Sequence, residues 1–145
     1  AGHSGLKKLV LRNVHIGRNG CAALTTLLQN PESQLTVLEL SSNGMNDEVA
    51  AVLATGLTVN STLKVLDLTD NEDITETGWR AIFTALQSPH YTLEQFVLIN
   101  IRLNDEKMTS LAPLLANVPL RSLDLSGNNE ITITGWEAFS AVLHN

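Results

Sequence analysis

Residues 63–71 read LKVLDLTDN. Leucine stands at Leu63, Leu66 and Leu68, and Asn71 follows three places later. The same frame recurs as LKKLVL (6–11), LTVLEL (35–40), LEQFVL (93–98) and LRSLDL (120–125), with one Phe for Leu. The starts lie 29, 28, 30 and 27 residues apart. Asn43 and Asn128 close two further frames as Asn71 does, whereas Val14 and Ile101 hold that place in repeats 1 and 4. Period-two spacing of the apolar positions predicts a strand in each copy.

The remainder of each unit changes period. DEVAAVLATGL (47–57) and GWRAIFTAL (78–86) carry apolar residues three and four apart, which predicts helix. Asn46 and Asn104 are expected to cap their helices, and Thr75 and Thr132 are the matching cap candidates. Pro113 lies inside the fourth helical stretch and is expected to kink or shorten it. Asn30-Pro31, Ser88-Pro89 and Val118-Pro119 punctuate the returns to the next strand.

L-x-x-L-x-L-x-x-N at this spacing resembles the leucine-rich repeat. Units of about 28 residues with a true helix are similar to the ribonuclease-inhibitor-like subfamily. Repeats 3 and 5 match at 11 of 21 positions from Leu66 and Leu123 onward, including GNNEITITGW (127–136) against DNEDITETGW (70–79). Repeats 2 and 4 share NDE at 46–48 and 104–106. IGRNGCAAL in repeat 1 follows the frame of ITETGWRAI, so the order reads B-A-B-A-B with a superunit near 57 residues. The resemblance implies an α/β solenoid, a right-handed superhelix with a parallel sheet on the concave face and helices on the convex face. It also implies a buried asparagine that bonds backbone of adjacent repeats, so that ladder is expected to be broken or rerouted in repeats 1 and 4.

Strands packed about 4.8 Å apart and helices about 8–10 Å apart force the stack to curve. The inward layers are Leu9/Leu11, Leu38/Leu40, Leu66/Leu68, Phe96/Leu98 and Leu123/Leu125. Outward positions begin basic (Lys8, Arg12), turn acidic (Glu39, Asp67, Asp124) and are apolar around Val97 and Ile99. The expected partner-binding residues are Val37, Glu39, Val65, Asp67, Gln95, Val97, Ile99 and Asp124.

Net charge is −6 over 145 residues. Counterion release on a phosphate backbone gives such a chain nothing, which argues against nucleic acid and toward a basic protein or peptide. No apolar run is long enough to span a membrane. Cys21 is the single cysteine, so intrachain disulfides and thiolate metal clusters are excluded. With no signal-peptide pattern at the start, a reducing, cytoplasmic setting is favoured. Asn60-Ser61-Thr62 is a formal glycosylation acceptor of relevance only to a secreted chain.

Trp79 and Trp136 share a column with Cys21, Ala50 and Met108, which reads as the half-buried, core-facing start of each helix. The two tryptophans stand roughly 20 Å apart at helix-packing distances and cannot cage one small ligand. His3, His15, His90 and His144 are scattered and show no metal-ligand spacing. Glu72-Asp73 and Asp105-Glu106 sit in a loop and at a helix start, where helix electrostatics explain the second pair. Nothing assembles a nucleophile, a base and an orienting group, and no cofactor is implied.

Residues 1–5 read as a tag remnant or disordered lead, and 6–145 as a single repeat domain. Neither end carries a polar cap. Two accounts follow: a fragment of a longer array, or self-association through the uncapped end repeats. The expected function is a non-enzymatic module that binds a protein or peptide on the concave strand face. The alternatives are an excised or engineered scaffold without its own partner, and a regulatory repeat domain of a larger receptor or GTPase activator.

Overall fold

The computed structural model describes residues 5–143. Residues 1–4 of the short lead, His3 among them, and His144 lie outside the described residues. Each repeat forms one strand and one helix: β1 (Lys8–Val10), α1 (Gly17–Gln29), β2 (Val37–Glu39), α2 (Asp47–Val59), β3 (Val65–Asp67), α3 (Glu76–Ala85), β4 (Gln95–Val97), α4 (Asp105–Leu111), β5 (Ser122–Asp124) and α5 (Ile133–Leu143). The strands pair in parallel in chain order as one five-stranded sheet. The helices stack in the same order behind it. This is the right-handed α/β leucine-rich repeat solenoid, with the sheet concave and the helices convex.

Register aligns Leu9, Leu38, Leu66, Phe96 and Leu123 in one inward row. Leu38, Leu40, Leu66, Leu68, Phe96 and Leu98 are wholly buried. Each such side chain contributes about 1.5–3 kcal/mol. Leu9, Leu11, Leu123 and Leu125 are only partly buried, because among the described residues each outer repeat is packed on one side.

The asparagines join repeats. Asn43 accepts from Val14 N–H and Ile16 N–H, Asn71 from Asn43 N–H and Met45 N–H, and Asn128 from Ile101 N–H and Leu103 N–H, all at 3.0–3.2 Å. Their amide groups donate in turn to strand-end carbonyls, as Asn71 does to Leu40, Leu68 and Thr69. One amide supplies two acceptor lone pairs and two donor hydrogens, so a single side chain satisfies a loop and two strand ends.

Ile101 has no such groups and is wholly buried. The loop that it faces, in repeat 3, is one residue longer and closes on itself through Ile74 N–H to Asn71 C=O at 3.4 Å. Repeat 5 repeats this turn from Ile131 N–H to Asn128 C=O at 3.3 Å. The short loops of repeats 1, 2 and 4 reverse instead through a left-handed residue at His15, Gly44 and Arg102 (φ 50°, 60° and 61°). That geometry aims two N–H groups at the following repeat, which supplies Asn. The extra residue and the missing asparagine are therefore one adaptation. Repeat 1 is a correction to the B-A-B-A-B order: its helix start is B-like, but its loop has the short A-type length and geometry.

Asn46 and Asn104 cap α2 and α4, their side chains accepting from Val49 N–H and Lys107 N–H. Thr75 occupies its cap position, but its side chain does not cap. Its N–H and hydroxyl donate to Asp47 of the preceding repeat at 2.7 and 2.5 Å. Thr132 is held likewise by Asp105, which also accepts from Gly135 N–H at 3.0 Å. In these repeats the anion at the helix N-terminus comes from the neighbouring repeat. Pro113 ends α4 at Leu111, and the chain continues as a short 3₁₀ turn over Ala112–Leu115.

Candidate functional site

The sheet register sets the eight strand-face residues in rows. Lys8, Val37, Val65, Gln95 and Ser122 form one row, and Val10, Glu39, Asp67, Val97 and Asp124 the next. Ile99 lies two residues beyond Val97 on the same side of its strand. Val37, Glu39, Val65, Asp67, Ile99 and Asp124 are partly exposed, Gln95 is exposed and Val97 is 9% exposed. The sequence-derived set therefore shares one continuous surface.

Its carboxylates are not equivalent. Glu39 receives Arg12 at 2.5 Å and lies 3.9 Å from Lys8, so its carboxylate is compensated by two cations. Asp67 Oδ1 accepts from Thr69 N–H at 2.9 Å. Asp124 Oδ1 accepts from Ser126 N–H at 3.0 Å and from its hydroxyl at 2.6 Å. The Ser126 hydroxyl and N–H hold the Asp124 carboxyl below the usual carboxylate range. Among the described residues, no cation pairs with Asp67 or Asp124. Thr69 Oγ1, beside Asp67, is buried without a hydrogen-bond partner.

The other candidates resolve by burial. Trp79 is wholly buried and packs toward Phe83, which meets Phe96 edge-on with centroids 5.7 Å apart. Trp136 in the same column is 40% exposed and touches Phe139, since no repeat covers its flank among the described residues. The expectation of a uniformly half-buried column is corrected accordingly. Cys21 is buried, and burial pushes its thiol up to about 11, which removes it as a nucleophile near neutral pH. Asn60 is buried, and its amide group donates to Leu28 C=O and Thr62 Oγ1. His15 and His90 are exposed loop residues. Two relationships escaped sequence reading, Arg12 with Glu39 and Asp47 with Thr75. Each pair had a signal in opposite charge or donor–acceptor type at one repeat's spacing.

The chain is a leucine-rich repeat protein. Its alternating units of strand, loop and helix are of the ribonuclease-inhibitor-like kind. The leucine-rich repeat family model matches residues 34–54, 59–83 and 116–140. Ribonuclease inhibitor from Sus scrofa is 33% identical over 124 residues, which cover 85% of this chain and 27% of that protein. The NACHT, LRR and PYD domains-containing protein 5 of Mus musculus is 31% identical over 130 residues, covering 89% of this chain and 11% of that protein. The chain thus spans well under a third of either relative. The solved structure of leiomodin-1 actin-binding site 2 shares the fold at a TM-score of 0.71 and 24% identity, covering 99% of this chain and 84% of that one.

Proposed function

We propose that the chain is a protein-binding module that takes a protein or peptide on its concave strand face and performs no catalysis on it. The observation that carries this reading is the unbroken register of five strands. It aligns Val37, Glu39, Val65, Asp67, Gln95, Ile99 and Asp124 on one accessible surface, with Val97 buried in the same row. Apolar side chains with interspersed charge suit a polypeptide partner, and the uncompensated carboxylates favour a basic one. The relatives lend support through their names, which refer to ribonuclease and to actin, both proteins.

A photocrosslinking residue at Gln95, on the strand face, or at Thr84, on α3, tests the placement. Partner proteins identified by mass spectrometry should attach from Gln95 and not from Thr84. They should also be lost when Asp67 and Asp124 are replaced by Lys. Attachment from Thr84 alone would place recognition on the helices and refute the reading.

Self-association through the end repeats is a second proposal. Its support is the exposed apolar set at the two flanks, Leu6, Val10 and Val14 on one and Ile133, Trp136 and Leu143 on the other. Light scattering that stays monomeric at high concentration would exclude it.

A further inference from the structure

We infer that repeats 3–5 of the strand face recognise one face of an amphipathic helix. That face carries basic residues at i and i+7 over Asp67 and Asp124, and apolar residues at i+3 and i+4 over Val97 and Ile99. The inference rests on the strand-face reading and narrows it to a partner geometry.

Charge selects the region. Glu39 is already met by Arg12 and Lys8, two cations to one carboxylate, so strands β1 and β2 offer a basic partner no uncompensated carboxylate. Asp67 and Asp124 have none of this. Their Oδ1 atoms accept hydrogen bonds from Thr69 and Ser126, which orients each carboxylate without neutralising it. Val97 lies between them in the same row as a buried apolar floor, with Ile99 beside it.

Spacing selects the occupant. Neighbouring parallel strands stand about 4.8 Å apart, so Asp67 and Asp124, two strands apart, are separated by about 10 Å. An α-helix rises about 1.5 Å per residue, which sets i and i+7 about 10.5 Å apart on one face. Residues i+3 and i+4 fall between them on that face. A helix lying across the strands therefore presents roughly one turn per strand. An extended peptide presents same-face side chains about 6.6 Å apart and falls out of step with the rows.

The test uses the whole chain and a stapled alanine-based helix with lysines at i and i+7 and leucines at i+3 and i+4. Amide chemical-shift changes should centre on β3, β4 and β5. An exposed ion pair contributes a factor of a few. Asp67→Asn with Asp124→Asn should therefore weaken binding about tenfold, and Glu137→Gln on α5 should leave it unchanged. Replacing both lysines of the peptide by glutamine should cause the same loss on the unaltered chain, which keeps the test sound if the double variant misfolds. Equal binding of a proline-containing, non-helical isomer would overturn the inference, as would failure of the stapled helix to bind at millimolar concentration. Shifts on the strand face that ignore both carboxylates would overturn it while leaving the strand-face reading intact. Shifts confined to the helices would overturn both.

Discussion

The side-chain oxygen of Asn128 stands 3.0 Å from the backbone nitrogen of Ile101. A repeat with hydrocarbon at the ladder position is thus closed by the asparagine of the next repeat. The ladder runs backward along the chain, each asparagine serving the short loop before its own. Asn71 is wholly buried and serves Asn43 N–H and Met45 N–H. Asn71→Ala should cost at least about 3 kcal/mol, because it leaves several buried backbone groups unpaired. The reverse change, Ile101→Asn, should also destabilise, by about 2 kcal/mol, because the long loop of repeat 3 already closes on itself and the new amide is buried without its partners. Urea unfolding midpoints measure both. A stabilising Ile101→Asn would contradict the account of the long loop.

Asp105 should make folding depend on pH. Hydrogen bonds from Thr132, hydroxyl first and N–H second, then from Gly135 N–H, hold its carboxyl below the ordinary range despite an opposing desolvation. A depressed folded value contributes stability that is present above the unfolded value of about 3.9 and is lost as pH falls through the folded one. Asp124, depressed through Ser126, acts in the same direction. Asp105→Asn should flatten the acid side of the stability profile, measured by urea unfolding at a series of pH values. An unchanged profile would show that the Asp105–Thr132 contact does not persist in solution.

Two glycines in one column should respond differently to alanine. A Cβ at Gly78 would lie 2.5 Å from Asp47 Oδ1 and 2.6 Å from Ile74 Cγ2, where the neighbouring repeat's carboxylate enters. A Cβ at Gly20 would meet only the Ile16 side chain, nearest at 2.8 Å. Gly78→Ala should cost about 1–3 kcal/mol by overpacking. Gly20→Ala should be close to neutral, since helix propensity returns up to about 1 kcal/mol. Thermal unfolding of the pair provides the comparison, and equal losses would dissociate the glycine from the incoming aspartate.

The tryptophans offer a similar contrast. Trp79 is enclosed and Trp136 is 40% exposed. Trp79→Ala should cost about 3–5 kcal/mol. Trp136→Ala should cost about 1 kcal/mol, chiefly its contact with Phe139. Chemical unfolding distinguishes them, and fluorescence of the remaining tryptophan should be blue-shifted for Trp79 and red-shifted for Trp136.

Cys21 should resist thiol reagents in the native state. Its pKa, pushed up to about 11 by burial, leaves little thiolate at neutral pH. Labelling should follow opening of the fold and rise sharply in denaturant, and prompt labelling of native protein would refute the burial of α1 against its neighbour.

The repeat frame, the number of units, the inward leucine rows, the outward rows and the asparagine caps of α2 and α4 were all legible in the sequence. Each is a local pattern, with its apolar period contained in a single unit of about 28 residues, and every unit solves the same packing problem. Neighbours decided the rest. Thr75 resembles a cap until Asp47 arrives from 28 residues away. Glu39 resembles free acidity until Arg12 reaches it from 27 residues away. Trp79 and Trp136 share one motif and one column, yet among the described residues a following repeat covers only the first. The chain alone determined what each repeat is. The stack determined which donor meets which acceptor, because hydrogen bonds and ion pairs depend on distances of a few ångströms that periodicity does not contain.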